Sequence, residues 1–141
     1  MNRRIIDVIR SNLIRQMVYF DEQLTELLIK VFPQISERNK IGARIEHYRQ
    51  GVSEILAGTY PGEPEQIVLI GAHVTIQYEN DNQAEKYTIV LPDHANIDEG
   101  CISFVSPLGS QLLLSQVGDS VCIESPSDSY TVKVGDVAYI T

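Results

Sequence analysis

The stretch Gly58-Thr59-Tyr60-Pro61-Gly62-Glu63-Pro64-Glu65 packs two glycines and two prolines into eight residues. Gly and Pro are the strongest local breakers of regular structure, so this run reads as a linker or a sharp turn between two modules. Before it, no glycine occurs until Gly42, and Pro33 is the only proline. After it come short runs of β-branched residues separated by Gly, Pro, Asp and Asn. A helical half followed by a strand-rich half predicts an α+β chain with residues 1–57 helical, 58–66 linking, and 67–141 mostly β.

Working back from the linker, Ile41, Ile45, Tyr48, Val52 and Ile55 step by 4, 3, 4, 3. Ile6, Ile9, Leu13, Met17, Phe20, Leu24, Leu27 and Val31 recur in a similar way. Each set is one apolar face of a helix with coiled-coil spacing, and all are expected in the core. Between them Phe32-Pro33 stops the first helix, because proline lacks the N–H and disfavours helix in its predecessor. Ser36 is the expected cap of the second helix. The result is an antiparallel coiled-coil hairpin with its tip at residues 32–40. The second helix, about 20 residues, would span roughly 30 Å, and the first roughly 43 Å, so that its early turns overhang.

Forward from the linker, Val74-Thr75-Ile76-Gln77-Tyr78 alternates as a half-buried strand within the run 67–78, with Gly71 inside it. Glu79–Gln83 is a polar turn, and Lys86–Leu91 returns until Pro92. Asn96–Gly100 is a connector with a helical turn ended by Gly100. Cys101–Val105 is a third strand. Ser106 caps a short helix with Pro107 in its first position, where a missing N–H costs nothing. Val121–Ile123 and Tyr130–Val134 form the last hairpin, turned by Ser125–Asp128. Gly118-Asp119 and Gly135-Asp136, in the strings VGDSVCI and VGDVAYI, are turn or bulge positions.

Charge divides at the same linker. The 141 residues carry 11 Lys and Arg against 19 Asp and Glu, a net charge of -8. The first 57 residues hold nine bases and seven acids; the remainder holds only Lys86 and Lys133 against twelve acids. So acidic a chain is a poor direct binder of phosphate backbones or anionic membranes. No apolar run approaches the roughly 20 residues needed to span a bilayer, and MNRRIIDVIRSNLIR has no signal-peptide core, so a cytoplasmic location is expected. Cys101 and Cys122 are then expected as buried thiols. His73 and His94 are isolated, with no nucleophile or ligand partner at a useful spacing, His47 lies next to the seam and is expected to be exposed, and no phosphate loop, catalytic triad or metal set is present.

Tyr87–Pro92, Ile102-Ser103-Phe104-Val105-Ser106-Pro107-Leu108-Gly109, Leu112-Leu113 and Val117–Val121 occur in an order and spacing that resemble the C-terminal, FKBP-like domain of the Gre transcript-cleavage factors. The likeness covers residues 67–141. That family joins the domain to an N-terminal coiled coil, so the implied architecture is a helical hairpin followed by an FKBP-like antiparallel β domain with a short helix. The resemblance implies docking of the second module at the rim of the secondary channel of bacterial RNA polymerase, with the coiled coil inserted into it. Nucleic acid would be reached only through the polymerase. The docking residues it implies are Ser106, Pro107, Leu108 and Gly109, with Asp98, Glu99 and Asp119 as nearby acids facing a basic rim.

In cleavage factors the tip carries two acids in a DLxEN-type motif that help hold magnesium, a hard cation that takes oxygen ligands. Here the tip residues Gln34, Glu37, Arg38, Asn39 and Lys40 include one acid among two cations. That departure, with a short hairpin, resembles truncated relatives such as the regulator of nucleoside diphosphate kinase. It implies a non-enzymatic, polymerase-binding regulator with no cofactor, no metal, no membrane partner, and a monomeric state. Two other readings are compatible with the residues: a cleavage factor using Glu37 with a distant acid such as Glu46, and a peptide-binding or chaperone-like module that dimerises through its coiled coil. The FKBP-like fold does not itself imply prolyl isomerase activity.

Overall fold

The computed structural model describes residues 3–139; Ile140, the last residue of the VGDVAYI string, lies outside them. The chain divides into two compact units between Pro61 and Gly62.

The first unit is a helical hairpin of α1 (Arg3–Val31) and α2 (Ile35–Ala57). Every expected seam residue of α2 is buried: Ile41, Ile45, Tyr48, Val52 and Ile55. The seam of α1 differs. Ile9, Leu13, Gln16, Phe20 and Leu24 are the buried set, while Ile6, Met17 and Leu27 are half-buried and Val31 is 44% exposed. Two physical causes account for this. Tyr48 brings a hydroxyl into the seam and donates 2.6 Å to Gln16 Oε1; a buried O–H without an acceptor would be costly, so Gln16 takes the inward place beside Met17. At the other end the first buried residue of α2 is Ile41, so that beyond Leu28, which lies against Gly42, Val31 has no buried residue of α2 to pack on. Phe20 meets Tyr48 edge-to-face, ring centroids 6.0 Å apart.

Ser36 is not the cap. Gln34 holds the N-cap backbone conformation of α2 with no side-chain hydrogen bond, which places Ser36 inside the first turn. The helix ends at Gly58, in the left-handed conformation, with the Gly58 N–H on the Ile55 carbonyl. That is the expected glycine role just past a helix C-terminus.

The second unit is a five-stranded sheet in the order β3-β2-β1-β5-β4. The strands are β1 (His73–Tyr78), β2 (Ala84–Val90), β3 (Cys101–Ser103), β4 (Ser120–Glu124) and β5 (Ser129–Ala138). All pairs are antiparallel except β2 with β3. The sheet is therefore mixed rather than wholly antiparallel. The connection 91–100, with its 3-10 turns Pro92–His94 and Ile97–Glu99, returns the chain so that Cys101 starts level with Thr88. An antiparallel partner for β2 would have needed only a two-residue turn. Gly135 is the extra residue of a bulge, since Thr75 pairs with Asp136 but Ile76 with Val134.

The run 67–78 is a strand only from His73 on. Ile67, Val68, Leu69 and Ile70 are buried but irregular, and Gly71 (φ 102) breaks the strand conformation. Their backbone is satisfied in other ways: Val68 donates to Ser115, Leu114 to Val68, and Gly71 to Ile89, while Tyr139 Oη accepts from the Leu69 N–H and donates to the Ile67 carbonyl. The short helix α3 (Pro107–Leu112) packs against both β3 and β4, the two edge strands.

Candidate functional site: a tight corner and a hairpin tip

The segment Ser103–Ser110 turns the chain from β3 into α3 through a web of short bonds. Ser106 Oγ donates to the Ser103 carbonyl at 2.7 Å and accepts the Gly109 N–H at 3.1 Å. Ser103 Oγ accepts the Val105 N–H at 3.2 Å. This is the side-chain cap expected of Ser106, with Pro107 in the first position of α3. Gly109 is held by close approach rather than by backbone conformation: a Cβ there would lie 2.3 Å from the Ser103 carbonyl oxygen and 2.9 Å from Ser106 Oγ. Pro107 is exposed, Leu108 half-buried and Gly109 buried. The corner thus presents a stiff pyrrolidine ring on a frame that has little freedom.

Gln111, which no pattern in the sequence singles out, ties this corner to the far edge of the sheet. Its amide nitrogen donates to the Pro107 carbonyl at 2.8 Å and the Glu124 carbonyl at 2.7 Å, and its oxygen accepts the Glu124 N–H at 2.9 Å. One side chain therefore satisfies both backbone groups of an edge-strand residue. No local signal could have found it, because Glu124 is 13 residues away.

The three acids are exposed, but they are not gathered at the corner. Asp98 and Glu99 lie in the 3-10 turn before β3, capped by Asn96, whose Oδ1 accepts the Asp98 N–H. Asp119 precedes β4 and accepts the Gln116 N–H at 2.8 Å. Glu124, the residue of β4 that meets Gln111, is at the other end of that strand, on the order of 15 Å away at strand rise. Beside Asp98 stands Ile97, 89% exposed, an apolar residue that the alternation of the chain does not reveal.

At the hairpin tip, Arg38 folds back on the end of α1. Its Nε donates to the Phe32 carbonyl at 3.0 Å and its Nη2 to the Pro33 carbonyl at 2.8 Å. A cation on the last carbonyls of a helix also answers the negative end of its dipole. Gln34, Glu37, Asn39 and Lys40 are exposed, and so are Val31 and Ile35, at 44% and 66%. Glu37 is the only acid of the tip segment 32–40, and among the described residues no three His, Cys, Asp or Glu side chains converge on one point. Among the described residues no helix is long and apolar enough to cross a membrane.

The two cysteines are not both buried: Cys101 is half-buried and Cys122 exposed. Cys122 lies on the outward face of an edge strand, with Val121 and Ile123 on either side. His73 makes a contact that sequence spacing does not show: its Nδ1 lies 2.8 Å from Thr88 Oγ1 across the β1–β2 pair.

A helical hairpin followed by a curled mixed sheet, with one short helix across its edge strands, defines a two-part class of protein rather than a single globular core. Residues 63–139 match the family described as "Transcription elongation factor, GreA/GreB, C-term", and the chain belongs to that family. It is similar to transcription elongation factor GreA of Desulfovibrio desulfuricans, 38% identical over 72 residues, covering 51% of this chain and 44% of that protein. GreA of Bacillus cereus is 32% identical over 98 residues, covering 70% of this chain and 62% of the relative. The chain thus spans about half the length of the first of these. Among solved structures, the prokaryotic transcription elongation factor GreA/GreB from Nitrosomonas europaea has a TM-score of 0.54 at 22% identity, over 83% of this chain and 93% of that one. That likeness is one of fold.

Proposed function

We propose that this protein is a regulator of transcription that binds bacterial RNA polymerase in the cytoplasm. The β unit seats at the rim of the secondary channel and the hairpin points into it. The observation that carries the reading is the Ser103–Ser110 corner: an exposed Pro107 on a frame held by Ser106 and Gly109, inside the segment that matches the family. A rigid apolar projection has little ordering entropy to lose on binding. Ser106 and Gly109 set its position; Pro107 and Leu108 make the contact. Asp98, Glu99 and Asp119, spread over the same unit, raise the association rate toward a basic surface.

The tip does no cleavage chemistry in this proposal. Arg38 is engaged with the end of α1, and Glu37 stands as the one acid of a segment shared with Arg38 and Lys40, a poor set for magnesium. Gln34, Asn39 and Lys40 act as contacts within the channel. Nucleic acid is met only through the polymerase, and the protein works as a monomer.

Co-precipitation with core RNA polymerase tests the reading. Wild-type protein is retained at micromolar concentration and Pro107→Asn is lost from the bound fraction while keeping its circular dichroism spectrum. A folded wild-type sample that is not retained overturns the proposal. Backtracked complexes that shorten their RNA on addition of the protein would overturn the non-cleaving part alone. Light scattering at rising concentration tests the monomer.

A further inference from the structure

Three neighbouring strands each place a tyrosine on one face of the sheet: Tyr78 at the end of β1, Tyr87 within β2 and Tyr130 near the start of β5. Val74, Ile76 and Tyr78 of β1 alternate onto one face; Ile89, Tyr87 and Glu85 of β2 and Val134, Val132 and Tyr130 of β5 join them by register. The valines and isoleucines of that face are buried, whereas Tyr78, Tyr87 and Tyr130 are half-buried and Glu85 is exposed. The aromatic group therefore lies where the core opens to solvent. The Tyr78 and Tyr130 rings are 5.7 Å apart, tilted by 44°. Tyr78 Oη donates to Glu85 Oε2 at 3.2 Å, and Tyr87 Oη donates to the same oxygen. Two phenols thus hold one carboxylate oxygen in place, and among the described residues no hydrogen bond reaches Oε1.

Charge around this rim has one sign. Asp81 acts on Tyr78, and Asp128 and Glu85 act on Tyr130, each through its negative charge. The only two cations of the residues after the linker, Lys86 and Lys133, alternate onto the opposite face, opposite Thr75 and Gln77. A fixed carboxylate with an open oxygen beside π faces, with no cation of its own face, is a seat for a cationic group. Arginine fits better than lysine, because a planar guanidinium can stack on a phenol ring while its fork reaches a carboxylate.

We propose that Tyr78, Tyr87, Tyr130 and Glu85 form a binding site for an arginine side chain presented by a basic segment of a partner protein. The site is separate from the Ser106–Gly109 corner and stands whether or not the partner is the polymerase. Glu85 supplies the charge, the two donating phenols hold it, and the Tyr78 and Tyr130 rings supply the stacking surface.

The test is a titration of the full chain with an acetylated Gly-Arg-Gly amide, followed by NMR of the tyrosine ring resonances. The matching citrulline peptide, equal in shape but uncharged, is the control. A single seated side chain gives saturable shifts at Tyr78, Tyr87 and Tyr130 with Kd of about 1–10 mM. Glu85→Gln, an exposed and nearly isosteric change, weakens the binding by about tenfold. Tyr78→Leu weakens it several-fold, with the amide spectrum of β4 reporting that the sheet is intact. Equal shifts with the citrulline peptide, no saturation by about 50 mM, or an unchanged Kd in Glu85→Gln would each overturn the proposal.

Discussion

The hairpin tip and the Ser103–Ser110 corner are both places where a helix end meets a tight turn, and they are closed by opposite means. At the tip a long side chain does the closing: Arg38 spans from α2 to the carbonyls of Phe32 and Pro33, and the N-cap residue Gln34 makes no side-chain bond. At the corner everything is short. Two serine hydroxyls and a missing Cβ at Gly109 let the backbone of α3 approach the end of β3. A long charged arm at the surface tolerates change, because its net worth is small and water can replace its hydrogen bonds. A close backbone approach does not, because neither main chain can move far without disturbing the sheet behind it. The tip is thus free to vary in its contacts, while the corner is built to hold one shape.

This contrast can be broken most directly at Gly109. Gly109→Ala places a Cβ against the Ser103 carbonyl and should destabilise the β unit by about 2–3 kcal/mol in urea unfolding; no loss, or the gain of about 0.5–1 kcal/mol that Gly→Ala gives at an open helical site, would mean that the corner is soft. Ser106→Ala removes the cap and leaves the Gly109 N–H without its acceptor, for an expected loss of about 1 kcal/mol. Arg38→Met keeps the stem and removes the guanidinium. It should cost only about 0.5 kcal/mol, and a larger effect would show that the tip depends on its arm as strictly as the corner on its glycine.

The smallest effect expected on the contrast is that of pH. Tyr87 is held protonated well above the ordinary tyrosine range, first by burial and then by its bonds to Glu85 and Tyr78. Burial likewise raises Tyr78 and Tyr130. A phenol whose pKa is raised by folding adds stability that is whole below its unfolded value of 10.0 and is lost as pH rises beyond it, since the unfolded chain ionises first. Urea midpoints should therefore fall between about pH 9 and about pH 11. Neither the tip nor the corner contains a tyrosine, so the differences between wild type, Gly109→Ala and Arg38→Met should stay constant over that range. Ultraviolet titration near the phenolate band should show the three tyrosines of the rim ionising above the ordinary tyrosine range.

Much of this architecture is legible in a local window. The α2 stripe from Ile41 to Ile55 has one physical meaning, a buried face, and all five residues are buried. Ser106-Pro107 reads as a capped helix start because both residues act on their immediate neighbours, and the cap bond is there. Asn96 and Gly100 bracket a helical turn for the same reason. The misreadings share a different property. Met17 and Gln16 are adjacent on α1, and only the hydroxyl of Tyr48, 32 residues away, decides that the glutamine goes inward. Val31 carries the right spacing, yet the partner helix has no buried residue before Ile41 to cover it. Ser36 is a good capping residue, but the turn after Pro33 puts Gln34 in the capping position.

By itself the sequence determined the features that arise from periodicity and from bonds between near neighbours: two helices, a Gly-Pro break, strands of β-branched residues, the Ser106 cap, and an acidic second half. Those effects act within one turn or one strand, so a few residues suffice to specify them. The parallel placement of β3, the bridge from Gln111 to Glu124, the fold-back of Arg38 and the tyrosine rim around Glu85 were decided only by the tertiary structure. Each depends on which main-chain carbonyl or side chain arrives from elsewhere, and a polar group takes whatever partner the packing brings within hydrogen-bond reach.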